Sequence, residues 1–409
     1  MVGRTAEIMA LQRRIGSGGS HATVEGAAGV GKSSLVAVAS YRMMKSSAIA
    51  ADGTLFVPAD QFMQIGEDPA VFEERLYRNI AQTLIQNADA FRQAEAKIPK
   101  IGDLDNWLNS PQYRNGQAGA FGVNAGYGSE PNTSEGFAHE GFSSAVREEL
   151  RRVFPDDRAG GVICVIDNLE LLKTSAAARD ALEILRDRVF DLPGVRWVLC
   201  GSRGIVSRAR SQRLSGFFAP PERVRPLTDA ESVELIRRRI EYFGSESASP
   251  PVTPDSFQFM YQALNSNLRD ALSYAQSFAE WLYGEVAPSG APAPDAEAAH
   301  GYLEAWMTEL ADNAHKDAKS VQKRVWQFFD ALAQGNGIAR SADFEQYGFG
   351  TQQQFGSSVT SLETANLVVR EVDPDDGTRK LASITPQGWL VYFHRNRYQL
   401  PASTDLTGS

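Results

Sequence analysis

The sequence predicts an α/β fold: a parallel sheet flanked by helices, then a helical region, then a C-terminal domain of three helices and a hairpin. Residues 161–166 (GVICVI) and 195–201 (VRWVLCG) are apolar runs without polar alternation, and segments of helical spacing separate such runs. Strands buried on both faces of a parallel sheet have this pattern. After residue 226, helical spacing replaces it.

Strands and helices alternate along the first half, with one interruption. Residues 98–141 are rich in Gly, Asn and Ser, which indicates either an inserted glycine-rich hairpin or a surface loop without a role in function. The predicted order is strand 21–25, helix 32–44, strand 53–59, helix 68–96, the insertion, helix 142–153, strand 161–166, helix 176–190 and strand 195–201.

The second half is helical until its last part. Thr228 followed by Glu231 is typical of a capping box at a helix start. Residues 287–294 (APSGAPAP) have the composition of a linker. Helices are predicted at 228–243, 254–265, 268–286 and about 297–315.

The last part, about residues 318–397, predicts a winged helix. Helical segments at 321–333, 341–347 and 351–364 precede two strand-like runs, and Asp376-Gly377 between the runs is a hairpin signal. Three helices followed by a two-stranded wing form that arrangement. The predicted domains are 1–225, 226–316 and 317–400, with a tail at 401–409.

Composition excludes several classes of protein. The 409 residues carry a net charge of −9, which argues against general electrostatic attraction to nucleic acid or to an anionic membrane. Cys164 and Cys200 both lie in apolar runs, as small buried residues of a reducing compartment do. The sequence has no cationic leader and no apolar run of about 18 residues. We expect a cytoplasmic protein with no membrane partner.

A glycine-rich loop carries the clearest chemistry. Gly26-x-x-x-x-Gly31-Lys32-Ser33 follows a predicted strand and opens a predicted helix, the context in which backbone N–H groups bind phosphate oxygens. The motif predicts ATP as the ligand, with Lys32 on the β- and γ-phosphates. It also predicts Mg²⁺ on the Ser33 hydroxyl. The predicted nucleotide-binding residues are Gly26, Ala27, Ala28, Gly29, Val30, Gly31, Lys32, Ser33 and Ser34.

An acidic residue ends the strand at 161–166. Asp167 follows ICVI, and a carboxylate at this position is predicted to hold Mg²⁺ together with Ser33. Many ATPases have a glutamate next, which orients the attacking water, but here the residue is Asn168. An amide cannot accept a proton, so either hydrolysis is slow or Glu170 substitutes. If Asn168 limits the rate, Asn168→Glu is expected to raise it.

The strand at 195–201 also ends in polar residues. In folds of this type it lies beside the strand that bears Asp167, so Ser202 or Arg203 is predicted to face the γ-phosphate. The alternative for Arg203 is an ordinary cation of a surface loop.

The order of motifs resembles the AAA+ superfamily of P-loop ATPases, in particular the replication-initiator (origin-recognition) clade. Val2-Gly3-Arg4 with Glu7 is similar to a box that helps to cover the adenine there. Arg225-Pro226-Leu227 with Glu231 resembles the start of that family's helical lid, which adds Pro226 to the implied nucleotide contacts. Residues 267–272 (NLRDAL) look like its second sensor, so the resemblance implies that Arg269 reaches the γ-phosphate.

The same resemblance implies a homo-oligomer. The family places an arginine finger, which completes a neighbouring subunit's site, between the first sensor and the lid, where Arg208, Arg210 and Arg213 lie. The alternative is that all three are surface cations. The sequence also resembles signal-transduction ATPases of the nucleotide-switch type. Residues 166–170 (IDNLE) and 201–203 (GSR) are similar to the strand ends of those proteins. Arg269 favours the initiator-like interpretation, and Asn168 and Arg203 favour the switch.

The charge of the predicted winged helix leaves its partner open. Residues 321–397 contain eight Lys or Arg and eight Asp or Glu. Their net charge of zero is low for a domain that binds duplex DNA. Glutamines can read adenine edges, and Arg379 and Lys380 on the wing are suited to phosphate. The partner is therefore double-stranded DNA, another protein, or the lid itself. The polar residues of the candidate recognition helix are Gln352, Gln353, Gln354, Ser357 and Ser358.

Overall fold

The computed structural model describes residues 1–66, 68–109, 139–172, 175–202, 204, 213–214, 216–245, 249–286, 292–373 and 376–396. The chain divides into two compact units. The sheet unit comprises Arg4–Gly26 and Lys32–Val224, and the helical unit comprises Met1–Gly3, Ala27–Gly31 and Arg225–Ser409. Most of the predicted insertion, residues 110–138, lies outside the described residues.

The sheet unit alternates strands and helices as the sequence predicts. Its strands are β1 Ala22–Gly26, β2 Leu55–Pro58, β3 Gly160–Ile166, β4 Val195–Gly201 and β5 Glu222–Val224. Its helices are α1 Thr5–Gly16, α2 Lys32–Ala50, α3 Pro69–Gln86, α4 Ala88–Gln93, α5 Ile101–Asn109, α6 His139–Val153 and α7 Ser175–Leu185, which continues as a π-helical turn, Arg186–Phe190.

All five strands are parallel, in the order β2-β3-β4-β1-β5. Every residue of β3 and β4 is buried, because helices cover both faces of the sheet. The predicted α/β class with a parallel sheet is confirmed. The register sets Ile166 of β3 beside Leu199 of β4, and Glu25 of β1 beside Gly201, so these strands end along one edge.

Trp197 is the centre of the apolar core on one face of this sheet. Its side chain is 1% exposed, and its ring centroid lies 5.2 Å from that of Phe190 and 6.5 Å from that of Phe72. The rings come from β4, the π-helical turn and α3, so one side chain joins three elements. Tilted and offset aromatic pairs of this kind add to the free energy of burial.

One predicted helix, 68–96, is in fact two. The first, α3, ends before Asn87, whose backbone leaves helical geometry (φ −102°, ψ 19°) and whose side-chain Nδ2 donates to the Thr83 carbonyl at 2.9 Å. Asparagine competes with helical hydrogen bonding in this way, and α4 then starts separately. The three-residue strand β5 was not predicted, since a run that short has no detectable period.

In the described residues, the helical unit contains five helices before its C-terminal sheet. They are α8 Asp229–Phe243, α9 Pro254–Ala263, α10 Leu268–Val286, α11 Ala296–Asp317 and α12 Lys323–Gln334. The predicted capping box is present: Glu231 N–H donates to Thr228 Oγ1 at 3.3 Å, and Thr228 N–H donates to the Glu231 carboxylate at 2.7 Å. Phe257, Phe278 and Leu303 are completely buried in its core.

The C-terminal part contains the elements that the sequence assigns to a winged helix. After α12 come β6 Ile338–Arg340, a 3₁₀ segment Ser341–Tyr347, α13 Gln352–Thr364, β7 Val368–Asp373, β8 Asp376–Ile384 and α14 Pro386–Asn396. The three strands form an antiparallel sheet in the order β6-β8-β7. Phe328 lies at the centre of this core, with its ring centroid 5.2 Å from those of Tyr347, Phe349 and Phe355.

The predicted hairpin turn, DPDDGT at residues 373–378, is narrower than expected, because Asp373 pairs with Asp376 and Asp376-Gly377 begin β8. Residues 374–375 lie outside the described residues. The strand β6 and the helix α14 were not predicted. In the described residues, no helix has the length and hydropathy needed to cross a membrane.

Candidate nucleotide-binding site

The glycine-rich loop leaves β1 at Gly26 and enters α2 at Lys32. Nζ of Lys32 donates to the Gly26 carbonyl at 3.2 Å, and the side chain is 7% exposed. An ammonium group this buried needs anionic or carbonyl oxygens around it. Gly29 and Gly31 have φ of +75° and +95°, which L-residues rarely adopt.

The two residues predicted to hold Mg²⁺ are in direct contact. Ser33 Oγ donates to Asp167 Oδ2 at 2.6 Å, and Asp167 Oδ1 accepts from the Asn168 N–H at 2.9 Å. Asp167 is 7% exposed. A hydroxyl and a carboxylate at the start of α2 and the end of β3 are oxygen donors of the kind that Mg²⁺ prefers, so these residues fit that ion.

Asn168 has a left-handed backbone, with φ of +57°. Asparagine and glycine tolerate this conformation better than most residues. The side chain at 168 therefore has a conformational reason to be Asn and not Glu. Residues 169–172 form a 3₁₀ turn, and the side chain of Glu170 lies outside the described part of the chain.

The residues after β4 are only partly described. Ser202 follows β4 directly and is half-buried; β4 pairs with β3, which carries Asp167. Arg203, Arg208 and Arg210 lie outside the described residues. Arg213 is exposed and forms ion pairs of 3.5 Å with Glu183 and 3.2 Å with Asp187, which are weak surface interactions.

In the helical unit, the loop apex, defined as Ala27–Gly31, lies against the start of α10. A Cβ atom at Gly29 would be 2.2 Å from Asn267 Oδ1 and 3.0 Å from Cβ of Arg269. Arg269 is exposed. Within the helical unit, the loop apex therefore lies beside the predicted second sensor.

The N-terminal box lies against the start of α8. A Cβ atom at Gly3, whose φ is +64°, would be 2.3 Å from Glu231 Oε1. The same carboxylate accepts two hydrogen bonds of 2.7 Å from Arg225. These bonds, followed by that from the Thr228 N–H, lower the pKa of Glu231 to about 2. The Arg225 guanidinium also donates to the Pro226 carbonyl at 3.1 Å.

Val2 is half-buried, whereas Arg4, the third residue of the box, is 1% exposed and donates to Glu7 at 3.2 Å. This ion pair lies within the sheet unit at the start of α1. The ion pair gives Arg4 a structural role, in addition to the contact with the adenine that the family resemblance implies.

Two residues near these sites were not assigned a role from sequence. Glu25, the residue before Gly26, is 3% exposed in β1; a charged residue in a buried strand is the signal that could have drawn attention to it. Asn267 was noted only as part of the NLRDAL motif. In the described residues, no group of three His, Cys, Asp or Glu side chains could hold a metal ion.

No family model matches this sequence, and no curated protein matches it. Solved structures do align with it. The Aeropyrum pernix ORC1 protein in complex with DNA has 16% identity and a TM-score of 0.45, with 97% of this chain and 93% of that chain covered. The Aeropyrum pernix ORC2 protein, in ADPNP-ADP complexes, has 12% identity and a TM-score of 0.45, with 98% and 94% covered.

A replication initiator, DnaA bound to AMPPCP and single-stranded DNA, has 10% identity and a TM-score of 0.36, with 87% and 86% covered. At these identities and TM-scores the alignments carry no conclusion about function. The α/β fold rests on the strand order and registers of this chain, and its parallel five-stranded sheet positions the glycine loop, Ser33 and Asp167.

Proposed function

We propose that this protein is an ATP-binding AAA+ ATPase that acts as a switch and hydrolyses ATP slowly. The contact that carries the proposal is the 2.6 Å hydrogen bond between Ser33 and Asp167, beside a lysine that closes the glycine loop onto Gly26. A buried cation and a hydroxyl at the start of α2, with a carboxylate after β3, would supply what a Mg²⁺-bound triphosphate needs.

Each residue has a separate task in this proposal. Lys32 and the N-terminus of α2 would balance the charge of the phosphates, and Ser33 and Asp167 would hold Mg²⁺, which would offset negative charge of the triphosphate. Arg269, exposed at the start of α10 beside the loop apex, is the second cation for the terminal phosphate. Asn168 has no proton acceptor for the attacking water, which supports slow hydrolysis.

Position 168 can be tested without straining the backbone. Aspartate accepts the left-handed conformation of Asn168 more readily than glutamate does, and it supplies a carboxylate. We expect Asn168→Asp to raise the steady-state ATPase rate about tenfold or more, within the range of general-base catalysis. Phosphate release with saturating ATP and Mg²⁺ measures the rate.

The control is Asn168→Gly, which keeps the backbone conformation but has no side-chain acceptor. Its rate should equal or fall below that of the unaltered protein. If Asn168→Asp is no faster than Asn168→Gly, the absence of a carboxylate at residue 168 is not what limits hydrolysis.

We further propose that ATP promotes homo-oligomerisation and that the C-terminal domain contacts double-stranded DNA. The support is the outer face of α13. Its fully exposed side chains are uncharged amides and hydroxyls, which can meet base edges, and its one carboxylate, Glu363, is half-buried and paired with Arg370. The exposed amides and hydroxyls are Gln352, Gln353, Gln354, Ser357, Thr360 and Thr364.

A switch that docks on a protein partner is the second candidate, and the pairing of cations in this domain favours it. Arg370 is 2.9 Å from Glu363, and Arg395 is 3.2 Å from Asp330. Arg324 donates to the Gly348 carbonyl at 3.0 Å and stacks over Phe349. Cations engaged in this way contribute less to phosphate neutralisation, on which duplex affinity depends.

Assembly assays separate the two candidates. Sedimentation velocity of the full chain with ATP and Mg²⁺, with and without a duplex at low salt, should show an ATP-dependent oligomer that retains the DNA. The Lys32→Ala variant is the control and should remain unassembled. Assembly without DNA retention at low salt would exclude the first candidate and leave the protein-docking switch; no ATP-dependent assembly would contradict the proposed oligomer.

A further inference from the structure

The start of α10 is in tight contact with the loop apex through one side chain. Oδ1 of Asn267 would be 2.2 Å from a Cβ atom at Gly29, far less than any carbon–oxygen contact permits. The carboxamide therefore lies directly on the Gly29 backbone, and a side chain at residue 29 would displace it. The positive φ of Gly29 requires glycine independently.

The same oxygen caps the helix. Asn267 Oδ1 accepts from the Arg269 N–H at 3.1 Å and from the Asp270 N–H at 3.3 Å, as an N-cap side chain does. One carboxamide thus touches the loop apex and fixes the first turn of α10. Because Arg269 lies in that turn, a displacement of the loop apex would be passed to Arg269 through Asn267.

The turn that delivers Asn267 is strained. Asn265 and Ser266 have consecutive left-handed conformations, with φ of +52° and +58°, each costing roughly 1–2 kcal/mol for an ordinary residue. Hydrogen bonds from Ser266 N–H to Tyr261 O (2.8 Å) and from Asn267 N–H to Leu264 O (3.2 Å) hold the turn. Strain retained in this way is frequent where a side chain must be placed for function.

We propose that Asn267 is a positioning residue of the nucleotide site: its carboxamide couples the loop apex to the first turn of α10 and so orients the Arg269 guanidinium toward a bound triphosphate. The inference rests on the proposed function, since it assigns ATP and ADP to the loop. Arg269 is exposed at the first turn of α10, so the position of that turn sets where its long side chain begins. In this proposal, the preference of the site for ATP over ADP depends on the contact between Asn267 and the loop apex, because that contact places Arg269.

The variant that separates this role from simple capping is Asn267→Ser. Serine caps helices as well as asparagine does, but its side chain is one heavy-atom bond shorter and does not reach Gly29. We expect the ratio of ATP to ADP affinity to fall about tenfold, within the usual range of coupling between sites. Titration of the full chain with each nucleotide in the presence of Mg²⁺ measures the ratio.

A matched control comes from the neighbouring helix. Thr253 caps α9 by accepting from the Ser256 N–H at 3.1 Å, so Thr253→Ala removes a cap without changing position 267. Its ATP to ADP ratio should equal that of the unaltered protein, although its thermal stability falls. A comparable fall of the ATP to ADP affinity ratio in Thr253→Ala would overturn the proposal. It would show that the loss of any helix cap in the helical unit lowers this ratio.

A double mutant tests the route through Arg269. In an Arg269→Ala background, adding Asn267→Ser should change the ratio no further, because the group that it orients is gone. Additive losses, or an unchanged ratio in Asn267→Ser alone, would overturn the proposal while Lys32-dependent ATP binding persists. Absence of that binding in the unaltered protein would instead overturn the proposed function, and this inference with it.

Discussion

Lys32→Ala should weaken ATP binding by at least about 100-fold. The lysine is buried beside the Gly26 carbonyl, and its ammonium group is proposed to bind two phosphates. Each charge-assisted hydrogen bond contributes about 1.5–3 kcal/mol, so losing both removes most of the affinity. Equilibrium titration with a fluorescent ATP analogue, with competition by ATP itself, measures the effect.

The control lies on the same helix. Lys45 is exposed on α2 and lies over the Tyr41 ring at 5.6 Å, so Lys45→Ala removes the same charge from α2 without altering the loop. Its ATP affinity should stay within about twofold of the unaltered protein, since exposed charges interact weakly. ATP binding by Lys32→Ala at the level of Lys45→Ala would contradict the assignment of the loop.

Asp167→Asn should lower ATP hydrolysis by about 100-fold or more and remove most of the dependence of ATP affinity on Mg²⁺. The amide has the same shape as the carboxylate: its oxygen can still accept from the Asn168 N–H, and its NH₂ can donate to Ser33 Oγ, which reverses that bond. It lacks the negative charge that holds the metal, and metal stabilisation of a phosphoryl transition state contributes several kcal/mol. Single-turnover hydrolysis and titrations with and without Mg²⁺ measure both quantities.

Asp60→Asn is the matched variant. Asp60 follows β2, the strand beside β3, but its side chain is exposed, and we assign it no role in the site. Hydrolysis and Mg²⁺ dependence should both be unchanged there. Were Asp167→Asn to retain its Mg²⁺ dependence while Asp60→Asn lost it, the metal ligand would have to be sought at the end of β2.

Local chemistry in the sequence predicted the central part of the fold. GVICVI and VRWVLCG are apolar throughout because β3 and β4 are buried on both faces, and that requirement is visible in the residues themselves. Shorter strands have no apolar run long enough to be recognised in the sequence. Strands β5 and β6 have three residues each, and they are strands only because neighbouring strands pair with them.

The break at Asn87 shows the same limit within a helix. The apolar stripe runs through it, but the Asn87 backbone departs from helical geometry and its side-chain Nδ2 donates to the Thr83 carbonyl. The extent of the hairpin turn within residues 373–378 has a similar cause, because the pairing of Asp373 with Asp376 depends on the register of two strands. Neither hydrogen bond nor register can be derived from residue types alone.

The sequence by itself determined that a phosphate loop, Gly26 to Ser33, follows one buried strand and that a carboxylate, Asp167, follows another. These features are local, since each depends on a strand, a turn and a helix start that are contiguous in the chain. Only the tertiary structure decided that Ser33 and Asp167 share a hydrogen bond, that Asn168 has a left-handed backbone, and that Asn267 lies on Gly29. Each of these depends on backbone conformation or on contacts across more than a hundred residues, which the packing of the elements creates.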